Sequence, residues 1–533
     1  MGLARGSGWE RNAMSDADII IIGAGHNGLV AGAYLAVAGK RVLVLERNEW
    51  FGGGVVTREL TRPGFHHDQH SMSHIFIQGN PLLLADELGL KRKYGLQYVF
   101  PDVPMMSVWE DGTTLPLHRD PAKSAEAIRR FSGKDADAFL ELSRQAAAWL
   151  PMVQAGLYSP PMPQGAQAAM MDQSPEGREL WRTMQLSTFD LMEELFEHEK
   201  VQAHFARVAG ENLVSPDEKS TGIGAYVFLG FLEKFGFGVP VGGSGSLSAA
   251  LIRCIEDHGG AVRNNSQVRE VTSQGERATG VVLDDGTRLT AGDAIIGALH
   301  PHLLPDLVPG VPENVARNAR RTHITDAACF TVHAALDGPL RFKAGDLSAV
   351  MYELMPDSYE VLRRGFDDLR YGEFVRQPLV GVGQLTQHDP SRCPDGKAIF
   401  HAWDYVPYNH PEGRNWDEAK DDYARRIIAR MGDFIENVPD VILDFHADSP
   451  VDMERTSPSF LRGDLHGIAT PPYQSGSHRP TPELGQYRVP GVDRLYLVGP
   501  FQHPGGGVFG AGRATAMVAA EDLGIEFDRI AVA

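Results

Sequence analysis

The chain is poor in cysteine: three in 533 residues, Cys254, Cys329 and Cys393, far apart and with no C-x-x-C among them. That pattern excludes a dithiol redox centre and a cysteine zinc site, and it fits a reducing, cytoplasmic setting. Long hydrophobic runs are also missing. The longest notable one, Ala225 to Leu232, is far too short to span a bilayer. No secretory leader is evident, because the first residues, MGLARGSGWERNAMSD, have no apolar centre. Positive charge is in deficit, with 50 basic against 69 acidic residues and a net charge of −19. This argues against nucleic acid as a partner and against charge-driven docking on anionic lipid. Internal repeats and low-complexity tracts are absent. A hydrophobic content of 43% remains, enough for a large core in two or more lobes.

The most informative stretch is ADIIIIGAGHNGLVAGAYLAVAGKRVLVLE, ending at Glu46. Ile19 to Ile22 predicts a strand buried on both faces. Gly23, Gly25 and Gly28 follow with G-x-G-x-x-G spacing. Gly28 to Ala38 predicts a helix stopped by Gly39, and Arg41 to Leu45 a second strand. Each glycine has a physical task at such a turn: the tight bend, close backbone approach to a pyrophosphate, and close helix–strand packing. The helix N-terminus offers free N–H groups and the positive end of its dipole to the phosphates. Glu46 lies 18 residues beyond Gly28, where a carboxylate can hold ribose hydroxyls. Together these predict a dinucleotide site.

Two further glycine clusters narrow the ligand. Gly52, Gly53 and Gly54 follow the ribose-binding acid directly. Three in a row predict backbone pressed against a ligand, which suits the longer FAD better than NAD. Near the other end, Leu495 to Val498 predicts a buried strand, broken by Gly499 and Pro500. Gly505, Gly506 and Gly507 then lead into a helix over 510–523. Its N-terminus is expected to face the flavin's pyrimidine edge. Between them, Pro240 to Gly260 predicts a glycine-rich lead into a helix. Strands are expected over 261–262, 266–272, 280–283, 288–290 and, separately, 292–298, with Val268 beside an adenine. No second G-x-G-x-x-G follows a strand, so a separate NAD(P)H domain is not expected.

Other segments carry weaker signals. His66, His70 and His74 are spaced by four, but Pro63 and Gly64 open that segment, so loop or short strand is expected, and no metal site. Pro81 to Leu90 predicts a helix, and Met106 to Leu117 a hairpin turning at Asp111-Gly112. Helices are expected over 122–130 and 135–150, then a mobile surface loop from Pro151 to Glu176, rich in Pro, Met, Gln and Gly, a lid or lipid-touching patch in outline. Tyr226, Phe228, Phe231, Phe235 and Phe237 crowd one apolar stretch. Core packing accounts for about half of them, and the rest are expected to line an apolar substrate cavity.

Taken together, GAGHNG, ERNEWFGGG, PVGGSGSLSAAL, the Asp284–Gly286 hairpin with GDAIIGA, and HPGGGVFGAGRA resemble the phytoene desaturase-like flavoproteins of the amine oxidase and FAD-linked reductase group. The resemblance is closest to the branch related to pyridine nucleotide-disulphide oxidoreductase domain-containing protein 2. It implies an α/β fold with an α+β second lobe: a discontinuous Rossmann-type FAD-binding domain and an inserted substrate domain of mixed sheet plus helices. The expected division is a disordered lead-in over 1–15, the FAD domain over 16–90, 240–300 and 491–533, and the substrate domain over 91–239 and 301–490. The resemblance also implies non-covalent FAD held by Gly23, Ala24, Gly25, Asn27, Gly28, Glu46, Arg47, Gly53, Gly54, Val268, Gly499, Gly507 and Val508. This chain departs from many relatives in carrying Gly54 where they have Arg, and Pro500 where they have an acid.

The implied activity is dehydrogenation or desaturation of a C–C bond in an apolar or alicyclic, terpenoid-like molecule by hydride transfer to flavin N5. Oxygen or a quinone is the expected acceptor, and peripheral membrane contact is compatible with a lipophilic substrate. A redox-neutral isomerase and a flavin-binding protein without turnover are the alternatives. Candidate catalytic groups are His503, just before the glycines, then His70 and Asp68. Tyr487 and Arg488 are candidates for holding a substrate carbonyl or carboxylate.

Overall fold

The computed structural model describes residues 15–530 apart from Asn212, so the expected lead-in falls almost wholly outside the described residues. Two seven-stranded sheets organise the chain. The opening strand, Ala17–Ile22, lies in the middle of the first. It is parallel to Val42–Leu45 on one side and to Arg288–Gly297 on the other. Its four isoleucines alternate between faces, as a strand's period of two requires. Ile19 and Ile21 meet the helical layer, while Ile20 and Ile22 meet the hairpin layer around Val271, Val281 and Leu304. Burial on both faces explains the unbroken apolar run.

The helix His26–Val37 follows the glycine turn and packs between Gly245–Asp257 and Gly512–Asp522. The segment expected as two strands over 288–298 is one continuous strand, Arg288–Gly297. Its first half pairs antiparallel with Arg277–Leu283, and its second half runs parallel to both Ala17–Ile22 and Leu495–Leu497. That single strand joins the hairpin to the parallel sheet, so no break is needed at Gly292. The sheet draws its strands from three distant stretches of chain, and its last strand arrives from residue 495.

The second sheet runs in the order Ile442–Asp448, Ala328–Leu336, Ala398–Val406, Gly381–Gly383, Met351–Leu354, Met105–Val108, Thr114–Leu117. One face is covered by the helix Trp416–Gly432, and the other by a layer of helices from the 121–235 region. The fold is therefore a mixed α/β arrangement with a parallel-centred sheet and a largely antiparallel one.

Two local expectations are corrected. Pro151 does not start a loop: the helix Gly133–Leu157 runs through it, and helices Gln164–Met171 and Pro175–Thr183 follow. Ser174 caps the last of these by accepting the Gly177 N–H, and Pro175 sits at its tolerated first position. The helix expected over 81–90 stops at Leu84. Asp86 adopts a positive φ of 52° there, and its carboxylate accepts the N–H groups of Lys91 and Arg92 instead. No helix among the described residues is long and apolar enough to cross a membrane.

Candidate cofactor and substrate cavity

A cavity of about 800 Å³ runs from the glycine turn of the first sheet to the inner face of the second. Its floor is the turn after Ile22. Gly23 has a φ of +93°, and a Cβ on Gly28 would stand 2.4 Å from the Gly23 carbonyl oxygen, so strand and helix meet with no room for a side chain. No side chain caps the helix His26–Val37. Gly25, His26, Asn27 and Gly28 line the cavity, so the helix's positive end is presented to whatever enters. The second glycine loop is tied to the first by backbone: Gly52 N–H donates to Ala24 O at 2.9 Å, and His26 N–H to Gly52 O at 3.3 Å.

Glu46 terminates the second strand, nearly buried, with both carboxylate oxygens engaged. One accepts the Ala24 N–H at 3.0 Å and the other the Asn48 N–H at 2.9 Å. Burial raises its pKa, and these backbone donors oppose the rise. The carboxylate thus braces the glycine turn while still facing the cavity. Beyond it, Ser266, Gln267 and Val268 form a further wall, fixed by Ser266 N–H donating to Glu46 O at 2.7 Å.

Of the residues expected to touch FAD, all line the cavity except Ala24, which holds Glu46 instead. Gly499, Gly507 and Val508 come from the far end of the chain. The His26 ring lies beside the Gly507 backbone, where the two ends of the chain meet; desolvation holds the buried ring down to about 4, against the pull of that backbone. Sequence reasoning passed over His26, although it sits inside the G-x-G-x-x-G motif. It also passed over Arg479, which is wholly buried. Arg479 donates to Pro500 O at 2.8 Å, Ala469 O at 2.9 Å and Ile468 O at 3.0 Å, stapling the last glycine loop from behind. Burial lowers its pKa to about 10, and Asp464 works against that. No local pattern marks such a residue, because its partners are carbonyls brought in by the fold.

The five candidate catalytic residues separate clearly. His70 lines the cavity. The other four do not. Asp68 is locked in a buried ion pair with Arg392 and accepts from Ser244 N–H at 2.7 Å and Thr57 Oγ1 at 2.6 Å. The His503 ring turns away to Gly156 O at 2.8 Å, anchoring its loop to the long helix. Tyr487 is buried and donates its hydroxyl to His503 O at 3.2 Å. Arg488 is partly exposed and paired with Asp522, Nε to Oδ2 at 2.7 Å. His66, His70 and His74 do not share a helix face; His67–Asp68 pairs as a strand with Thr57–Arg58. His74 is occupied by Tyr98 and Ser244. Among the described residues no group of His, Cys, Asp or Glu is placed to hold a metal ion.

The half of the cavity away from the glycines is chiefly apolar, with Met105, Phe205, Val208, Phe228, Phe237 and Met351 in its wall. Of the five aromatics at 226–237, Phe228 and Phe237 line it, whereas Tyr226 and Phe231 are packed in the core. One carboxylate stands in this wall. Glu211 accepts Tyr405 O–H at 2.9 Å and Trp403 Nε1–H at 3.2 Å, and pairs with buried Arg207. Arg207 also pairs with Glu353 at 2.8 Å, whose burial pushes its pKa well above the usual carboxylate range despite Arg207. His401 and Thr331 complete the polar part of the wall.

An elongated ligand with a central pyrophosphate fits this cavity. Were FAD bound there, the helix N-terminus would face its phosphates, the Val268 and Glu46 walls would flank one end, and the 499–508 loop the other. Known proteins agree. Over most of its length the chain is 28% identical to a subunit of the limonene dehydrogenase of Castellaniella defragrans, covering 96% of each. It is 28% identical to pyridine nucleotide-disulfide oxidoreductase domain-containing protein 2 of Rattus norvegicus (95% and 94% covered). Identity to the lycopene-forming phytoene desaturase of Pantoea ananas is 24% (94% and 99%). Cyclohexylamine oxidase from Brevibacterium oxydans has a similar fold, with a TM-score of 0.57 at 18% identity over 96% of this chain and 100% of that one. Residues 28–520 match the sequence profile of the flavin containing amine oxidoreductases, and the chain belongs to that family of FAD-dependent oxidoreductases.

Proposed function

We propose that the protein dehydrogenates an apolar, alicyclic or terpenoid-like small molecule, removing hydrogen from two neighbouring carbons. The observation that carries this is the apolar wall of Met105, Phe205, Phe228, Phe237 and Met351, which continues directly from the glycine cradle. Such a surface recognises shape rather than charge. The relatives named for limonene and phytoene support the same substrate class. Bound FAD supplies a hydride acceptor at N5.

The chain's own residues do the rest. The turn at 23–28 would hold the cofactor's phosphates, and Val268, Glu46 and the loop at 499–508 its two ends, so that the reacting carbon meets a rigid wall. Phe228 and Phe237 orient the substrate by packing and exclude water from it. A proton must also leave the neighbouring carbon; of the histidines that line the cavity, we propose His70 and His401 to receive it, since both carry buried ring nitrogens without a protein partner. Oxygen or a quinone is the acceptor that fits a chain without a dithiol.

The test is anaerobic mixing of flavin-loaded protein with limonene, with phytoene in micelles, and with cyclohexylamine. Bleaching of the flavin spectrum by a hydrocarbon supports the reading. Bleaching by the amine alone, or protein that can neither retain nor take up FAD, overturns it. Turnover of a hydrocarbon without acceptor consumption would indicate an isomerase instead. We also propose that Met152, Met170 and Trp181, exposed on three consecutive helices, and Met162, exposed in the link between the first two, touch a lipid surface from which such substrates are drawn. Flotation with neutral phosphatidylcholine vesicles that leaves all protein behind counts against this contact.

A further inference from the structure

Three strands of the second sheet set histidines side by side. His446, His333 and His401 stand opposite one another in register across Ile442–Asp448, Ala328–Leu336 and Ala398–Val406. Residues paired in this way project from the same face of a sheet. The ring centroids lie 6.4 Å apart for His446 and His333, and 4.4 Å for His333 and His401. His67 meets His333 edge-on at 5.7 Å. One end of the row opens on the cavity, which His401 and His70 line. At the other end the His446 side chain is 35% exposed, with Nε2 3.0 Å from Asp448 Oδ1.

Between these ends the rings are short of partners. Both nitrogens of His333, both of His401, and Nδ1 of His67 and of His70 are buried without a hydrogen bond to the protein, as is Thr331 Oγ1. Buried polar atoms in native proteins are paired, with other protein groups or with ordered water. So many together, each able to make a bond, suit a site roomy and polar enough for water.

We propose that this histidine row, bridged by ordered water, is a proton relay between the substrate chamber and solvent. The proposal rests on the dehydrogenase reading. Each turnover sends a hydride to the cofactor and leaves one proton inside an apolar chamber, from which it must escape. Desolvation keeps the rings neutral, with His401 near 3, His67 near 3 and His70 near 4. A neutral imidazole has one N–H and one lone pair, so it takes a proton on one nitrogen as it gives one up from the other. One proton enters at His401 or His70, the N–H bonds shift along the row, and one leaves at His446; no electrons move. The charges facing the row are Arg392 by His67, Arg58 by His70, and Asp448. Against its burial, hydrogen bonds from His446 and Gln69 keep Asp448 below the usual carboxylate range, so a negative charge stands at the exit.

The relay can be tested without any substrate. Flavin-loaded protein is reduced with dithionite, freed of excess reductant and given oxygen. Reduced flavin anion, oxygen and one proton become oxidised flavin and hydrogen peroxide, so a pH-indicator dye reports proton uptake. In the wild type, uptake keeps pace with flavin reoxidation. In His333→Phe, with flavin content retained, uptake and reoxidation are expected to slow by about a hundred-fold. In His333→Gly, added imidazole is expected to restore the rate. Unchanged uptake in both variants overturns the proposal. A crystal structure must also show ordered water between the His333 and His401 rings; a dry row, or a metal ion on those nitrogens, overturns it. Failure of every hydrocarbon to bleach the flavin would remove the functional reading while leaving the water row and proton uptake to be judged by themselves.

Discussion

Asp68 and Arg392, 324 residues apart in the chain, form an ion pair from which solvent is wholly excluded. The guanidinium also donates to Asp389 Oδ2 at 3.0 Å and Pro240 O at 2.9 Å. The pair clamps the loop after the second glycine cluster to the lead into the helix Gly245–Asp257. Asp68→Asn removes one of the two carboxylates that neutralise the buried guanidinium, leaving Asp389, and a loss of about 1–3 kcal/mol in stability is expected. Thermal unfolding checks it. A catalytic Asp68 would instead give a stable variant whose flavin no longer bleaches.

Glu46 uses both carboxylate oxygens as acceptors for backbone N–H groups of Ala24 and Asn48. An amide can replace only one of them. Glu46→Gln should therefore leave one buried N–H unpaired, at a cost of about 1–3 kcal/mol. The glycine turn loosens with it, so FAD affinity falls along with stability. Titration of apoprotein with FAD, followed by flavin fluorescence, measures the loss.

Gly512 lies where the helix Gly512–Asp522 crosses His26–Val37: a Cβ there would stand 1.9 Å from the Asn27 carbonyl oxygen. Gly512→Ala forces the two helices apart, with an expected cost of about 1–3 kcal/mol. Because Asn27 lines the cavity beside the glycine turn, purified Gly512→Ala should also retain less flavin per chain. Equal flavin content and equal melting temperature would contradict the tight crossing.

Acid sensitivity follows from the buried histidines. His67, His74 and His401 are held near 3 and His70 near 4, in each case chiefly by desolvation. The unfolded chain binds their protons near pH 6.5, so stability is full above that value and is lost as pH falls below it. Each group steepens the fall by up to about 1.4 kcal/mol per pH unit. Melting temperature should decline between pH 7 and pH 5, and His401→Phe should flatten that slope.

The dinucleotide cradle was readable in the sequence because its parts are local. A strand, a glycine turn and a helix lie within one short segment, and Gly23, Gly25 and Gly28 can be read from spacing alone. The same logic found Glu46 and the loop at 505–507. It did not separate His70, which faces the cavity, from Asp68 two residues earlier, which is locked behind it. The short strand ends at Asp68, so His70 lies beyond it, and which of the two side chains looks into the cavity depends on what packs around each. His503 misled for a related reason: proximity to the glycines in sequence did not fix its ring, which Gly156 captures from the long helix. The segment at 151–176 reads as a loop from its Pro and Gly content, yet most of it is helical: the long helix runs on to Leu157, Gln164–Met171 follows, and Ser174 caps Pro175–Thr183.

By itself the sequence determined the family's cofactor fold, because backbone geometry at Gly23–Gly28 and Gly505–Gly507 is dictated by residues next to one another. Only the tertiary structure decided the substrate chamber. Glu211, Cys329, His401 and Phe237 share one wall there although they come from different parts of the chain. Their meeting depends on strand register and on how helices cover the second sheet. Register is set by the summed burial of whole faces, a quantity that no single residue announces. The His446–His333–His401 row is the clearest case: three unremarkable histidines become one feature only when three strands align.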